Sequence, residues 1–352
     1  MDYPISLYFE AEPKDIKVLD LCRGEDDFRK VYIADDGKRK IVIKHMSNTF
    51  SDEKRIIGWF KLMEVYRSLG VYIPDIVTNL SGELIDSAVV EGRHYYTYAE
   101  EYSKYETVEN IGEEKCKDGQ GRYTYVPDLM RLIGRIGSLH LDLFDWPSAY
   151  CIIVPFCEPD TTDEGTECAL EFVKYVKENL PKYTEKAEKL LSLFYKNQQK
   201  VADFYDKLPT SCFQADLNAT NILLDENKRF AGLIDFNICG KDSVLNYAVR
   251  EALWAVDDGC LYGKDDERFY IYDRELDKIR ISAFLRNISF VQEEYRFCDA
   301  EREAFADVFR YINGFWWFHI DELKRVRDDE NKVECLLDYL EEQMTRDDIR
   351  LP

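Results

Sequence analysis

The sequence predicts an α+β chain of two lobes, a β-rich N-terminal lobe with one helix followed by a larger, mostly helical C-terminal lobe. Three observations carry that prediction. Short runs rich in Val, Ile and Tyr fill the first hundred residues, helical periodicity dominates most of the remaining chain, and a single hairpin pattern interrupts it at residues 221–236. At 352 residues the chain is long enough for two lobes around a shared cleft, and 45% hydrophobic residues supply the core.

In the N-terminal lobe, residues 15–21, 29–34 and 39–45 read as strands. The last two are joined by Asp35-Asp36-Gly37, where glycine supplies the positive φ of a hairpin turn. Thr49 with Asp52 three residues on resembles a capping box. Ile56, Phe60, Met63 and Arg67 then share a helix face up to Gly70. Strand-like sequence resumes from Ile85 through Tyr98, so residues 1–100 are read as five strands and one helix. The C-terminal lobe, residues 101–352, opens with a charged loop from Gly112 to Gly121. A helix of about five turns comes next, marked by Leu129, Leu132, Ile133, Ile136, Leu139 and Leu143. Residues 167–208 are helical with a break at Pro181, and residues from Val244 onward are mostly helical.

Lys and Arg number 47 against 69 Asp and Glu, a net charge of −22, which excludes a general phosphate-backbone binder. No apolar run reaches the roughly 18–20 residues of a membrane span. Met1-Asp2-Tyr3-Pro4 lacks the basic and apolar regions of a secretory leader, so a cytoplasmic location is expected. Ten scattered cysteines without a CxxC pair, beside four histidines, read as small buried hydrophobes rather than a zinc site.

The chemistry is concentrated in Gln214-Ala215-Asp216-Leu217-Asn218-Ala219-Thr220-Asn221-Ile222-Leu223 and Leu233-Ile234-Asp235-Phe236-Asn237. Asp216 and Asn221 lie on a loop entering a strand, and hairpin pairing returns Asp235 beside Asn221. Asn221 and Asp235 offer hard oxygens suited to Mg²⁺, leaving Asp216 free to accept a proton, as phosphoryl transfer requires. In Ile41-Val42-Ile43-Lys44, alternation puts Val42 and Lys44 on one strand face, the lysine for nucleotide phosphates and the valine over the base. Glu53, in the first turn of the following helix, is the expected acidic partner of Lys44, with Glu64 as its competitor. Glu53 alone is equally what the helix dipole favours there. His140 reads as a core residue of its helix. Trp316, Trp317, Phe315 and Phe318, with the acidic clusters Asp257-Asp258 and Asp265-Asp266-Glu267, would suit a cationic amine; a packed aromatic helix and solvated loops explain them as well.

These segments resemble the aminoglycoside phosphotransferase / choline kinase family of protein-kinase-like small-molecule kinases. Gln214-Ala215-Asp216-Leu217, Asn221-Ile222-Leu223 and Ile234-Asp235-Phe236 are similar to its catalytic and metal segments, and residues 23–32 to its glycine-poor nucleotide loop. Ser138-Leu139-His140 is similar to the Leu-His ending a family helix. The resemblance implies a bilobal protein-kinase-like fold, with ATP as phosphoryl donor (GTP is a further option), Mg²⁺ and a small hydroxyl-bearing acceptor, a cationic one included. It implies Asp216 as catalytic base, Asn221 and Asp235 as Mg²⁺ ligands, and Lys44 on the phosphates, held by Glu53. It places the adenine between Val42 above and Leu223 and Ile234 below, with backbone hydrogen bonds from Glu100 to Tyr102. Gln214 and Ala215 stand where the family has His-Gly, and Asn237 replaces its glycine or carboxylate. The alternatives are a choline, homoserine or sugar kinase of the same fold, or a nucleotide-binding regulatory module without turnover.

Overall fold

A computed structural model describes residues 2–24, 26–255 and 274–352. After a single helical turn, α1 (Tyr3–Ser6), strands β1 (Asp15–Asp20), β2 (Phe28–Asp35) and β3 (Lys40–Ser47) form an antiparallel meander. Helix α2 (Glu53–Ser68) comes next, then β4 (Ile76–Val77), β5 (Asp86–Val90) and β6 (Arg93–Glu101). Among the described residues the sheet has six strands rather than five, in the order β1-β2-β3-β6-β4, with β5 also paired to β6. The two-residue β4 is too short to leave a periodic signal, and Glu91-Gly92 folds the expected single run at 85–98 into a hairpin.

Alternation divides this sheet cleanly. Tyr32, Ala34, Ile41, Ile43 and Ala99 pack beneath Ile5, Tyr8 and Phe9 of the N-terminal segment. The opposite face presents Met46 and Tyr98 to α2, whose Ile56, Trp59, Leu62, Met63 and Tyr66 belong to the same apolar cluster as the helices of the C-terminal lobe. The cap of α2 is Asp52, whose carboxylate accepts the Arg55 N–H at 2.8 Å, and not Thr49.

A short β7 (Glu106–Thr107), α3 (Val108–Ile111) and a 3₁₀ turn lead to α4 (Val126–Ser138), then α5 (Glu164–Asn179) and α6 (Thr184–Ala202). Helix α4 stops at Ser138, well short of five turns. Leu139 and Leu143 are exposed beyond its end, and His140 is exposed as well, with φ 45°, rather than packed in the core. Strands β8 (Thr210–Phe213) and β11 (Gly240–Ser243) pair, while β9 (Ile222–Leu224) and β10 (Phe230–Leu233) make the expected hairpin, to which β7 adds an edge. Helices α7 (Val244–Trp254), α8 (Arg274–Gln292), α9 (Asp299–Ile312), α10 (Trp317–Val326) and α11 (Glu330–Thr345) complete the fold. No helix among the described residues is long and apolar enough to cross a membrane.

One backbone join between the lobes depends on a glycine. Tyr72, just past α2, donates its N–H to the Ala231 carbonyl and accepts the Leu233 N–H, both at 3.0 Å. A Cβ on Gly232 would lie 2.0 Å from the Tyr72 carbonyl oxygen, so only glycine permits this approach.

Candidate active site

The loop leaving β8 is held from both lobes. The Gln214 N–H donates to the Tyr66 hydroxyl of α2 at 3.3 Å, and the Ala215 N–H donates to the Tyr247 hydroxyl of α7 at 3.2 Å. Ala215 has φ 65° and is fully buried, so the loop turns sharply just before Asp216. The Gln214 amide spans the two loops of the site: its oxygen accepts the Asp216 N–H at 2.7 Å, and its NH₂ donates to the carbonyls of Ile234, at 3.1 Å, and Asp235.

Both oxygens of Asp216 are occupied. Asn218 donates to one at 2.7 Å and Asn221 to the other at 2.7 Å. Burial, aided by the charge of Asp235, raises the Asp216 carboxyl from 3.8 to about 6, while these two amides pull the other way. The final hairpin bond, Ile234 N–H to the Asn221 carbonyl at 3.0 Å, brings Asp235 next to Asn221. Asp235 itself has φ 59°, a left-handed turn that ends the strand.

Lys44 reaches this group from the sheet above. Its ammonium lies 3.2 Å from the Asp235 carboxylate and 3.1 Å from Glu100 on the neighbouring strand β6. Burial, the largest influence, opposes the charge, but Asp235, Glu100 and Tyr98 outweigh it and hold the lysine well above its ordinary range. The acidic partner is therefore not Glu53. Glu53 is exposed at the start of α2, as is Glu64, which pairs with Arg67, because the inward stripe of that helix is apolar.

The register explains Glu100. Val42 pairs with Glu100 and Lys44 with Tyr98, so Val42, Lys44, Tyr98 and Glu100 share the face toward the cleft. A backbone role for Glu100–Tyr102 meets a different picture. The Glu101 N–H donates to Asp75 at 2.8 Å, the Tyr102 N–H to Lys40 at 3.0 Å, and Glu100 sits in the ladder between β3 and β4. It is the Glu100 side chain that faces the site. Of the remaining expected residues, Leu223 is buried on the face of β9 opposite Ile222 and Leu224, and Ile234 precedes Asp235 at the hairpin end.

Helix α7 extends the site downward. Tyr247, Glu251 and Trp254 recur at helical spacing, running from the loop that carries Asp216 toward an aromatic group. Trp254 stacks on Trp316 at 5.7 Å, and Trp316 on Phe318 at 5.7 Å. The Arg250 guanidinium, paired with Glu164, lies 4.1 Å over Tyr150 and 5.3 Å over Trp316. Glu251 is buried with one carboxyl oxygen unpartnered. Burial raises it from 4.5 to about 8, against Arg250, and Asp216 adds to the rise. Phe315 is core and Trp317 is half exposed, so the aromatic segment divides between packing and surface. The acidic clusters at 257–258 and 265–267, with Cys260 and Glu25, lie outside the described residues.

Sequence reasoning named Glu100 only for its backbone and missed its side chain as the partner of Lys44; it also missed Gln214 as a bridge between loops, the hydroxyls of Tyr66 and Tyr247, and Glu251. Registering β6 against β3 would have found the first; the others depend on how helices pack.

No family model and no curated protein matches this sequence. Solved structures do share its architecture. An amicoumacin kinase in complex with AMP-PNP, Ca²⁺ and Ami is 13% identical, with TM-score 0.56 over 97% of this chain and 91% of that one. A microcompartment-associated aminopropanol kinase is 12% identical, with TM-score 0.51 over 97% of each chain. At such identities the likeness is one of fold. This chain has the bilobal, protein-kinase-like α+β fold of those small-molecule kinases.

Proposed function

We propose that this protein is an ATP-dependent kinase that moves the γ-phosphoryl group to a hydroxyl of a small molecule. The observation that carries the reading is the convergence of Lys44, Asp216, Asn221 and Asp235, drawn from both lobes, on one point of the cleft. Asn221 and Asp235 would hold Mg²⁺. The donor set fits: two hard oxygen side chains, with no cluster of three or more His, Cys, Asp or Glu among the described residues, suit an ion that keeps waters and phosphate oxygens in its shell. When bound, that ion supplies positive charge to the phosphates.

The protein's own residues divide the remaining work. Lys44 neutralises phosphate oxygens from above, with Val42 over the base and Leu223 and Ile234 beneath it. Asp216, aimed by Asn218 and Asn221, orients the acceptor hydroxyl and takes its proton. The hydroxyl oxygen then bonds to the γ-phosphorus as the bond to the β–γ bridging oxygen breaks, and ADP leaves. Gln214 keeps Asp216 and Asp235 in register.

An amine-bearing acceptor is the favoured class. Glu251 offers a buried, unpartnered carboxyl oxygen near Asp216, and the Trp254–Trp316 stack lies along the same helix. The name of the aminopropanol kinase joins an amine and a hydroxyl in one substrate, which agrees with this class. Choline, homoserine and sugars stay in the panel, as does GTP as donor, and a cytoplasmic site fits ATP use. The test is acceptor-dependent ADP release with ATP and Mg²⁺ over a panel of amino alcohols, aminoglycosides and sugars. Wild type should turn over at least one member and Asp235→Ala none. Equal ADP release by both proteins would refute the reading.

A further inference from the structure

We propose that Glu100, on a strand of the sheet, is the positioning residue for Lys44, which takes the lysine out of the control of helix α2. The proposal rests on the kinase reading and deepens it.

The pair is built within one sheet. Glu100 lies two residues along β6 from Tyr98, the direct partner of Lys44, and so on the same face; it is buried, with its carboxylate 3.1 Å from the ammonium. Tyr98 floors the pair, its ring centroid 5.6 Å from the lysine nitrogen. Two adjacent strands fix both backbones through their ladder, so the distance between the side chains changes little unless the sheet itself breaks.

Helix α2 cannot supply the same service. Its two carboxylates, Glu53 and Glu64, are exposed, and the residues facing inward are Ile56, Trp59, Leu62, Met63 and Tyr66. The helix is also fastened to the C-terminal lobe along its length. At Gly58 an added Cβ would sit 2.8 Å from Trp146 and 2.9 Å from Phe144, and the Trp146 indole donates to the Cys239 carbonyl at 3.0 Å. Further on, the Tyr66 hydroxyl accepts the Gln214 N–H, and Arg135 donates to the Leu69 carbonyl. An α2 displacement would break these contacts without moving Glu100. Phosphate binding by Lys44 is thus set by the sheet rather than by the position of α2.

The test is calorimetric binding of ATP in the presence of MgCl₂ to the full-length protein, with thermal unfolding as the check on folding. Glu100→Gln keeps the shape and removes the charge, so a packing role would leave binding unchanged. A positioning role predicts a loss of about ten- to a hundredfold. Glu100→Asp, which retains the charge on a shorter stem, should recover part of it, and Glu53→Gln should bind within about twofold of wild type. Wild-type affinity in Glu100→Gln, or an equal loss in Glu53→Gln, would overturn the proposal. Lys44→Met separates the two levels. If it binds ATP as wild type does, the kinase role of the lysine fails and this proposal with it; if it loses binding while Glu100→Gln does not, only this proposal fails. Should Glu100→Gln unfold, Glu100→Asp compared with Glu53→Gln decides the question, because only the former touches the lysine.

Discussion

Replacing Asp216 with Asn sets a catalytic loss against two opposed effects on stability. The native carboxyl is raised from 3.8 to about 6 by burial and then by Asp235. The folded protein therefore holds the proton more tightly than the unfolded chain does. The resulting penalty on folding is absent below the unfolded value, grows as pH rises between the two values, and is complete above about 6. Two units correspond to roughly 3 kcal/mol at neutral pH, which Asn escapes. Asn also has only one acceptor oxygen for the two amides, of Asn218 and Asn221, that each donate to Asp216 at 2.7 Å. One amide is left facing another donor, at about 1–3 kcal/mol. The electrostatic relief is marginally the larger at pH 7, so Asp216→Asn should be as stable as wild type or slightly more so, and its relative stability should improve from about pH 4.5 to 7. Turnover should fall about 10²- to 10⁴-fold, because an amide in place of the carboxylate cannot take the acceptor's proton. Calorimetric melts at both pH values, paired with initial rates on an identified acceptor, measure both. Retained turnover, or a stability difference that moves against Asp216→Asn as pH rises, would refute the reasoning.

Two further perturbations probe the frame of the site. Gly232→Ala would drive a methyl into the Tyr72 carbonyl and strain both 3.0 Å bonds that join the lobes, destabilising the protein by about 2–5 kcal/mol; a change under about 1 kcal/mol in urea unfolding would show that the lobes are not joined there. Glu251→Gln removes a carboxyl raised from 4.5 to about 8 by burial, so its stability relative to wild type should climb from about pH 5 to about 8 in thermal melts, whereas a flat difference would mean the native carboxyl is not raised.

The strands around Gly37, the helix running inward from Ile56 and the hairpin carrying Asn221 and Asp235 were legible in the sequence. Each rests on spacing within some twenty residues, and backbone geometry converts that spacing directly into a face or a turn. For the same reason the grouping of Asp216, Asn221 and Asp235 could be read: one loop and one hairpin bring them together. Glu53 was misassigned because a first-turn carboxylate answers equally well to the helix dipole, and periodicity alone does not reveal which way a helix is rolled against a sheet. Tertiary structure decided that α2 turns an apolar stripe inward, that β6 rather than the helix brings a carboxylate to Lys44, and that Tyr66, Gln214 and Tyr247 hold the loop carrying Asp216 to both lobes. Those contacts span fifty or more residues of chain between Lys44 and Glu100 and far more between Tyr66 and Gln214. They depend on strand register and helix packing, which the whole core selects at once and no local pattern encodes.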